Sequence, residues 1–82
     1  MEKHIGTVTH YYSRLSVAVL NLTDEIHQGD EIRITGRITD LVMHVDSMEI
    51  DHRKIESAGT GMEIALKVDA PVREGDKLYK VT

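Results

Sequence analysis

The chemistry-bearing side chains of this protein gather most densely at His10-Tyr11-Tyr12-Ser13-Arg14. Two adjacent phenols, an imidazole and a guanidinium offer a stacking face, hydroxyl donors and a partner for phosphate or carboxylate. Aromatic-plus-Arg surfaces suit RNA bases and protein hot spots alike. A second basic group, Arg53-Lys54 beside His52, stands in an otherwise acidic chain and adds a contact for phosphate. His10, Tyr11, Tyr12, Arg14, Arg53 and Lys54 are therefore the candidate binding surface. The bland account of the same residues is that one tyrosine closes an end of the core, the other lies against its neighbours, and residues 51–54 form a solvated turn.

Other constellations carry less. Five histidines, His4, His10, His27, His44 and His52, invite a metal centre. None shows the i, i+4 spacing of a helical zinc site. His4 and His10 share a nominal strand face, but six residues of strand span roughly 20 Å, too far for one ion. No metal and no cofactor are expected. Ser13, Ser16, Ser47 and Ser57 sit in no nucleophile elbow. The acidic neighbours Asp24-Glu25 and Asp30-Glu31 read as solvated turns. Catalysis needs a nucleophile with its base, or carboxylates paired in a cleft. The expected role is binding without catalysis.

The elements that must position these residues read as strands. Residues 4–11 are rich in β formers, and Leu15 to Leu22 carries apolar groups on both faces, as in a covered strand. Residues 30–35 alternate with period two, as do Met62, Ile64, Leu66 and Val68 against Glu63, Ala65, Lys67 and Asp69. Residues 38–50 are long for one straight strand. Val45 and Met48 lie three apart and cannot share a strand face, so a bulge near Asp46-Ser47 is predicted to turn both inward. Residues 77–81 form a last strand with Leu78 on one face and Tyr79 and Val81 on the other.

One turn signature occurs twice. Ile26-His27-Gln28-Gly29-Asp30-Glu31-Ile32 is echoed by Val72-Arg73-Glu74-Gly75-Asp76-Lys77-Leu78. Glycine takes positive φ without a Cβ clash, and Asp closes a turn by bonding its own backbone two residues on. Each copy is predicted to be a tight bend feeding a strand. Six or seven short, mostly antiparallel strands with no helix imply an all-β fold, and at 82 residues a small closed or nearly closed barrel is the economical form, because closure removes sheet edges. Ile32, Ile34, Ile64 and Leu66 should lie inside.

Bulk properties narrow the roles. The length fits one domain, residues 1–82, burying about 60–65% of its unfolded surface. The absence of Cys excludes disulfides and zinc-thiolate sites and fits a reducing compartment. No apolar run suggests a signal peptide or a membrane span, so a cytoplasmic protein without membrane contact is expected. A net charge of −4 argues against gripping DNA or long RNA through phosphates.

The order of these devices resembles the β-barrel second domain of translation GTPases of the elongation factor Tu type. The matching residues are Gly6-Thr7-Val8, then Ile26-x-x-Gly29-Asp30-x-Ile32-x-Ile34-x-Gly36, Val45-Asp46-Ser47-Met48, Ala58-Gly59-Thr60-Gly61-Met62-x-Ile64-Ala65-Leu66, and Val72-Arg73-Glu74-Gly75-Asp76-x-Leu78. The pattern is also similar to the C-terminal barrels of collagenase-like peptidase-family proteins, some of which act in RNA modification. No phosphate-binding loop is present, so GTPase activity does not transfer. The first resemblance implies a small free-standing binding module of translation or RNA processing. Its partner would be a tRNA or rRNA end, or a ribonucleoprotein. The acidic balance favours the alternative of a protein-interaction or accessory-subunit barrel with no nucleic-acid role.

Overall fold

The computed structural model describes residues 1–82. Ten strands and no helix follow one another: β1 (Glu2–Tyr12), β2 (Val17–Leu22), β3 (Ile26–His27), β4 (Glu31–Thr35), β5 (Asp40–His44), β6 (Met48–Ile50), β7 (Arg53–Ile55), β8 (Ser57–Ala58), β9 (Glu63–Lys67) and β10 (Lys77–Val81). Eight form one antiparallel sheet in the order β5-β4-β10-β1-β2-β9-β6-β7, and β3 pairs with β8 in a separate two-stranded ribbon.

The sheet curls around one core of 17 buried apolar residues. Ile5, Leu20, Ile32, Ile34, Leu66 and Leu78 are fully inaccessible, and Ile64 is 1% exposed. Each side chain of this size contributes roughly 1.5–3 kcal/mol when fully buried. With no Phe or Trp, the interior is filled by branched aliphatics and Met, which suit a pleated surface.

The expected closure does not occur. β5 and β7 are the two edges of the sheet and no ladder joins them. The ribbon bridges the gap instead. The Gln28 amide donates to the Glu56 carbonyl at 2.8 Å, and Gly29 donates to Val45 at the same distance. Ile26 and Ala58 of the ribbon belong to the common core. The physical reason lies in Val45-Asp46-Ser47. These three residues break the long strand expected over 38–50 into β5 and β6, which end in different places in the sheet. Val45 and Met48 both point inward as expected, 2% and 1% exposed.

The two Gly-Asp bends are built alike. Gly29 has φ 93° and Gly75 φ 90°. The Asp30 carboxylate accepts the His27 amide at 2.8 Å, and the Asp76 carboxylate accepts the Arg73 amide at 2.8 Å. Each Asp thus reaches back three residues, rather than forward two as the usual side-chain turn does. Each bend is then stitched to one residue of another strand or connection. Gly29 N–H and Asp30 C=O bond Val45, while Gly75 N–H and Asp76 C=O bond Val8.

β1 is the long strand that both halves of the sheet share. Its pairing slips once toward β10, between His4 and Gly6, and once toward β2, between Val8 and His10. A bulge bends its strand and adds twist, which lets one strand serve two differently curved halves.

Candidate functional site

Strand alternation divides the aromatic cluster. The register runs Tyr11↔Ala18, Ala18↔Leu66 and Leu66↔Met48, a row that faces the core. Tyr11 is accordingly half-buried and packs on that core. His10 and Tyr12, one residue to either side, face outward. Their rings meet edge to face at 4.3 Å between centroids and 64° between planes. His10 Nδ1 lies 3.3 Å from Glu74 Oε2 of the second Gly-Asp bend, with both side chains half-exposed. Tyr12 remains 48% exposed.

The β1–β2 connection completes the surface. Ser13 to Ser16 form a hairpin tip in which the Leu15 amide donates to the Tyr12 carbonyl at 3.2 Å. Ser16 takes φ 54°, a conformation uncommon for a residue with a Cβ, and its carbonyl accepts the Val68 amide. The turn throws Arg14 and Leu15 outward. Arg14 is exposed and enters no ion pair. Leu15 is 62% exposed. Tyr11, Tyr12, Ser13, Arg14 and Leu15 border a shallow depression of about 420 Å³. The tip offers an aromatic face, an aliphatic side chain and an unpaired guanidinium within four residues.

Leu15 was expected to open the second strand and be covered; β2 begins only at Val17. The signal that placed it outside was present, since Ser13-Arg14 precede it and Ser16 follows. Tyr12 beside Tyr11 could not be assigned a face from type alone, because strand direction decides it.

Arg53 and Lys54 do not join this surface. His10 is connected to Lys54 only through Val19, Ala65 and Glu49, four strand spacings or about 19 Å along the sheet. Arg53 follows the two-residue turn Asp51-His52, both exposed. Lys54 borders a separate crevice of about 320 Å³ with Gln28, Asp46 and Glu56. The candidate surface is therefore two patches. The structure places Tyr12 and Arg14 at one depression with the edge of Tyr11, sets His10 against Tyr12 on the outer face, and leaves Arg53 and Lys54 apart.

The strongest ion pairs lie elsewhere, on the surface of the sheet. Arg33 donates to both oxygens of Asp40 at 2.9 and 3.0 Å and to Glu2 at 3.1 Å. The hydrogen bond from Arg33 holds the Asp40 carboxyl below the ordinary carboxylate range. Lys3 Nζ sits 2.7 Å from Asp24, and that hydrogen bond lowers the Asp24 pKa and raises that of Lys3. Lys80 meets Asp30 at 3.2 Å. No three His, Asp or Glu side chains converge on a common point, and the five histidines are dispersed.

No family model matches this chain. Its fold is that of the C-terminal domain of a Geobacillus thermoleovorans protein described as a U32 peptidase. The two superpose with a TM-score of 0.90 over 98% of this chain and 93% of that one, at 18% identity. In sequence it is 40% identical over 76 residues to an uncharacterized protease of Methanocaldococcus jannaschii, and 37% identical over 79 residues to a collagenase of Porphyromonas gingivalis. Those alignments cover 92% and 94% of this chain but only 19% and 22% of the relatives. The chain thus spans about a fifth of their length.

These findings correct two expectations. The relatives carry protease and collagenase names, so the assignment to a translation-factor second domain, with its tRNA, rRNA or ribonucleoprotein partner, is withdrawn. The likeness to the C-terminal barrels of collagenase-like peptidase-family proteins is the one the comparisons support. The expectation of a protein outside enzyme chemistry is also corrected, since the relatives are named as enzymes. As to membranes, no helix is long and apolar enough to cross one.

Proposed function

We propose that this chain is an accessory domain of a U32-type peptidase and that its β1–β2 hairpin tip engages polypeptide for that enzyme. The observation that carries the reading is the combination of Tyr12, Arg14 and Leu15, all exposed and with Arg14 in no ion pair, on a fold shared with a peptidase C-terminal domain. A protease acts on polypeptide, and an extended chain presents apolar side chains and carbonyl oxygens. Tyr12 and Leu15 supply apolar contact to the former. Arg14 donates to the latter or to acidic side chains. Tyr and Arg are enriched among residues that dominate binding energy, because both bring large contact area and directed hydrogen bonds. His10, beside Glu74, lies edge to face against the Tyr12 ring. The net charge of −4 suits polypeptide better than nucleic acid.

The test is a titration of the isotope-labelled chain with gelatin peptides and with reduced, alkylated casein. The amides of residues 12–15 should shift. Replacing both Tyr12 and Leu15 by Ser should weaken binding about tenfold or more, with the melting temperature unchanged. Absence of binding to both probes, or binding that ignores the double substitution, overturns the reading. Tighter binding to tRNA than to either polypeptide also overturns it.

A further inference from the structure

The outer edge of β5 lies away from the hairpin tip and carries an independent inference. Backbone bonds from Gly36 to Thr39 and from Val45 to Asp30 flank the β4–β5 ladder. With the register Ile34↔Leu41 and Ile32↔Met43, they make Thr39, Leu41, Met43 and Val45 the positions bonded toward β4. Asp40, Val42 and His44 alternate with these and turn their N–H and C=O groups outward. No strand lies beyond β5, and none of these three residues enters a backbone bond outside the ladder. All three are exposed, Val42 by 55%. Proteins blunt such edges with Lys, Pro or a bulge, and β5 has none of them. The opposite edge is managed: next to β7, Glu56 is bonded by Gln28 of the ribbon connection.

We propose that β5 is the seat of a two-fold homodimer, in which β5 pairs antiparallel with β5 of a second copy about an axis at Val42. The free groups dictate the register. In an antiparallel ladder, bonded pairs recur at every second residue. Setting Val42 opposite Val42 of the second copy places Asp40 opposite His44 and His44 opposite Asp40. Every free N–H and C=O on both edges is then matched, whereas a shift of two residues leaves groups unmatched on each copy. The same register sets a carboxylate against an imidazole on both sides of the axis and brings two valine side chains together upon it. Read antiparallel, Asp-x-Val-x-His is its own complement. A foreign strand would satisfy the backbone, but His44 of each copy meets an Asp40 that Arg33 already orients through both oxygens and that keeps further acceptor sites, and these two contacts select a second copy.

Position 42 faces itself, which makes the test sharp. The chain has no cysteine, so Val42→Cys introduces a sole thiol. In a bonded antiparallel pair the two Cα atoms lie about 5.5 Å apart, within reach of a disulfide. Under mild oxidation this variant should run as a covalent dimer, while Glu63→Cys on the central strand β9 stays monomeric. In sedimentation, the wild-type chain should show a concentration-dependent monomer–dimer equilibrium. Val42→Lys and Val42→Glu should each be monomeric with an unchanged circular dichroism spectrum, and mixing the two should restore a one-to-one dimer. A wild-type chain that stays monomeric at millimolar concentration overturns the proposal. So does a dimer that survives Val42→Lys, a mixture that fails to pair, or Val42→Cys cross-linking no faster than Glu63→Cys.

Discussion

A side chain at Gly36 would collide with Asp76: a Cβ built there overlaps Oδ1 of that carboxylate. Asp76 is 5% exposed and its other oxygen is held by the Arg73 amide, so it has little freedom to retreat. Gly36→Ala should therefore destabilise the protein by about 1–3 kcal/mol, the usual cost of overpacking. Combining it with Asp76→Ala should cost less than the sum of the two single changes, because the second removes the obstacle. Urea denaturation of the four proteins measures both, and additive costs would show that the two residues are not coupled.

The matched bends make a second prediction. Gly29 and Gly75 have open space around the Cβ position but φ near +90°. Alanine at either is strained by backbone conformation alone and should cost about 1 kcal/mol or more. The bends share one design, so the two costs should be similar. An unchanged melting temperature in both variants would refute the argument.

The turn Asp51-His52 joins β6 to β7 with φ 50° and 65°, the two positive values that a two-residue hairpin of this hand requires. His52 adopts this conformation against its preference. His52→Gly should raise stability by about 0.5–1 kcal/mol, as placing glycine where φ is positive relieves the clash. A fall in melting temperature would mean that the imidazole makes a contribution the backbone argument omits.

Acid sensitivity follows from two carboxylates. Asp24 and Asp40 have pKa values lowered by hydrogen bonds from Lys3 and Arg33. A carboxylate whose folded pKa is depressed stabilises the protein fully above its unfolded value, near 3.9, and loses that contribution as pH falls through the lower folded value. The melting temperature should thus fall below about pH 4. Asp24→Asn and Asp40→Asn should each flatten that limb. Lys3 runs the other way: its raised pKa gives a contribution fully present below the ordinary lysine value and lost as pH rises through the raised folded value. Melting scans across pH at low and high salt check all three, since screening should shrink each effect.

Tyr11 and Tyr12 should separate cleanly. Tyr11 packs on the core, so Tyr11→Ala should cost about 1–3 kcal/mol, less than a fully buried aromatic. Tyr12→Ala should leave the melting temperature nearly unchanged and weaken polypeptide binding. The reverse pattern would move the proposed contact from the outer to the inner tyrosine.

Much of the core was legible in residue order. Ile64, Leu66 and Val68 alternate with Glu63, Ala65, Lys67 and Asp69 and all three are buried, because one face of a strand repeats every second residue. The odd spacing of Val45 and Met48 showed that both turn inward, though through a break between two strands rather than the expected bulge, and the Gly-Asp pairs announced positive φ. Met62 was misplaced by the same logic. It stands before β9, 38% exposed, with its sulfur accepting the Gly59 amide. Tyr79 and Val81 were read on the face opposite Leu78, and both are half-exposed while Leu78 is fully buried.

Local pattern determined which side of each strand is apolar and where the chain must bend. It did not determine which strands are neighbours, because pairing depends on rows of side chains meeting across segments distant in sequence. That tertiary choice left β5 as an open edge with Asp40, Val42 and His44 facing out. It sent Tyr11 inward and Tyr12 outward, and it set Arg53 and Lys54 four strands from His10. A closed barrel was the economical solution for hydrogen bonding. The three residues between β5 and β6 carried the chain to another part of the sheet, and the β3–β8 ribbon spanned the gap that this left.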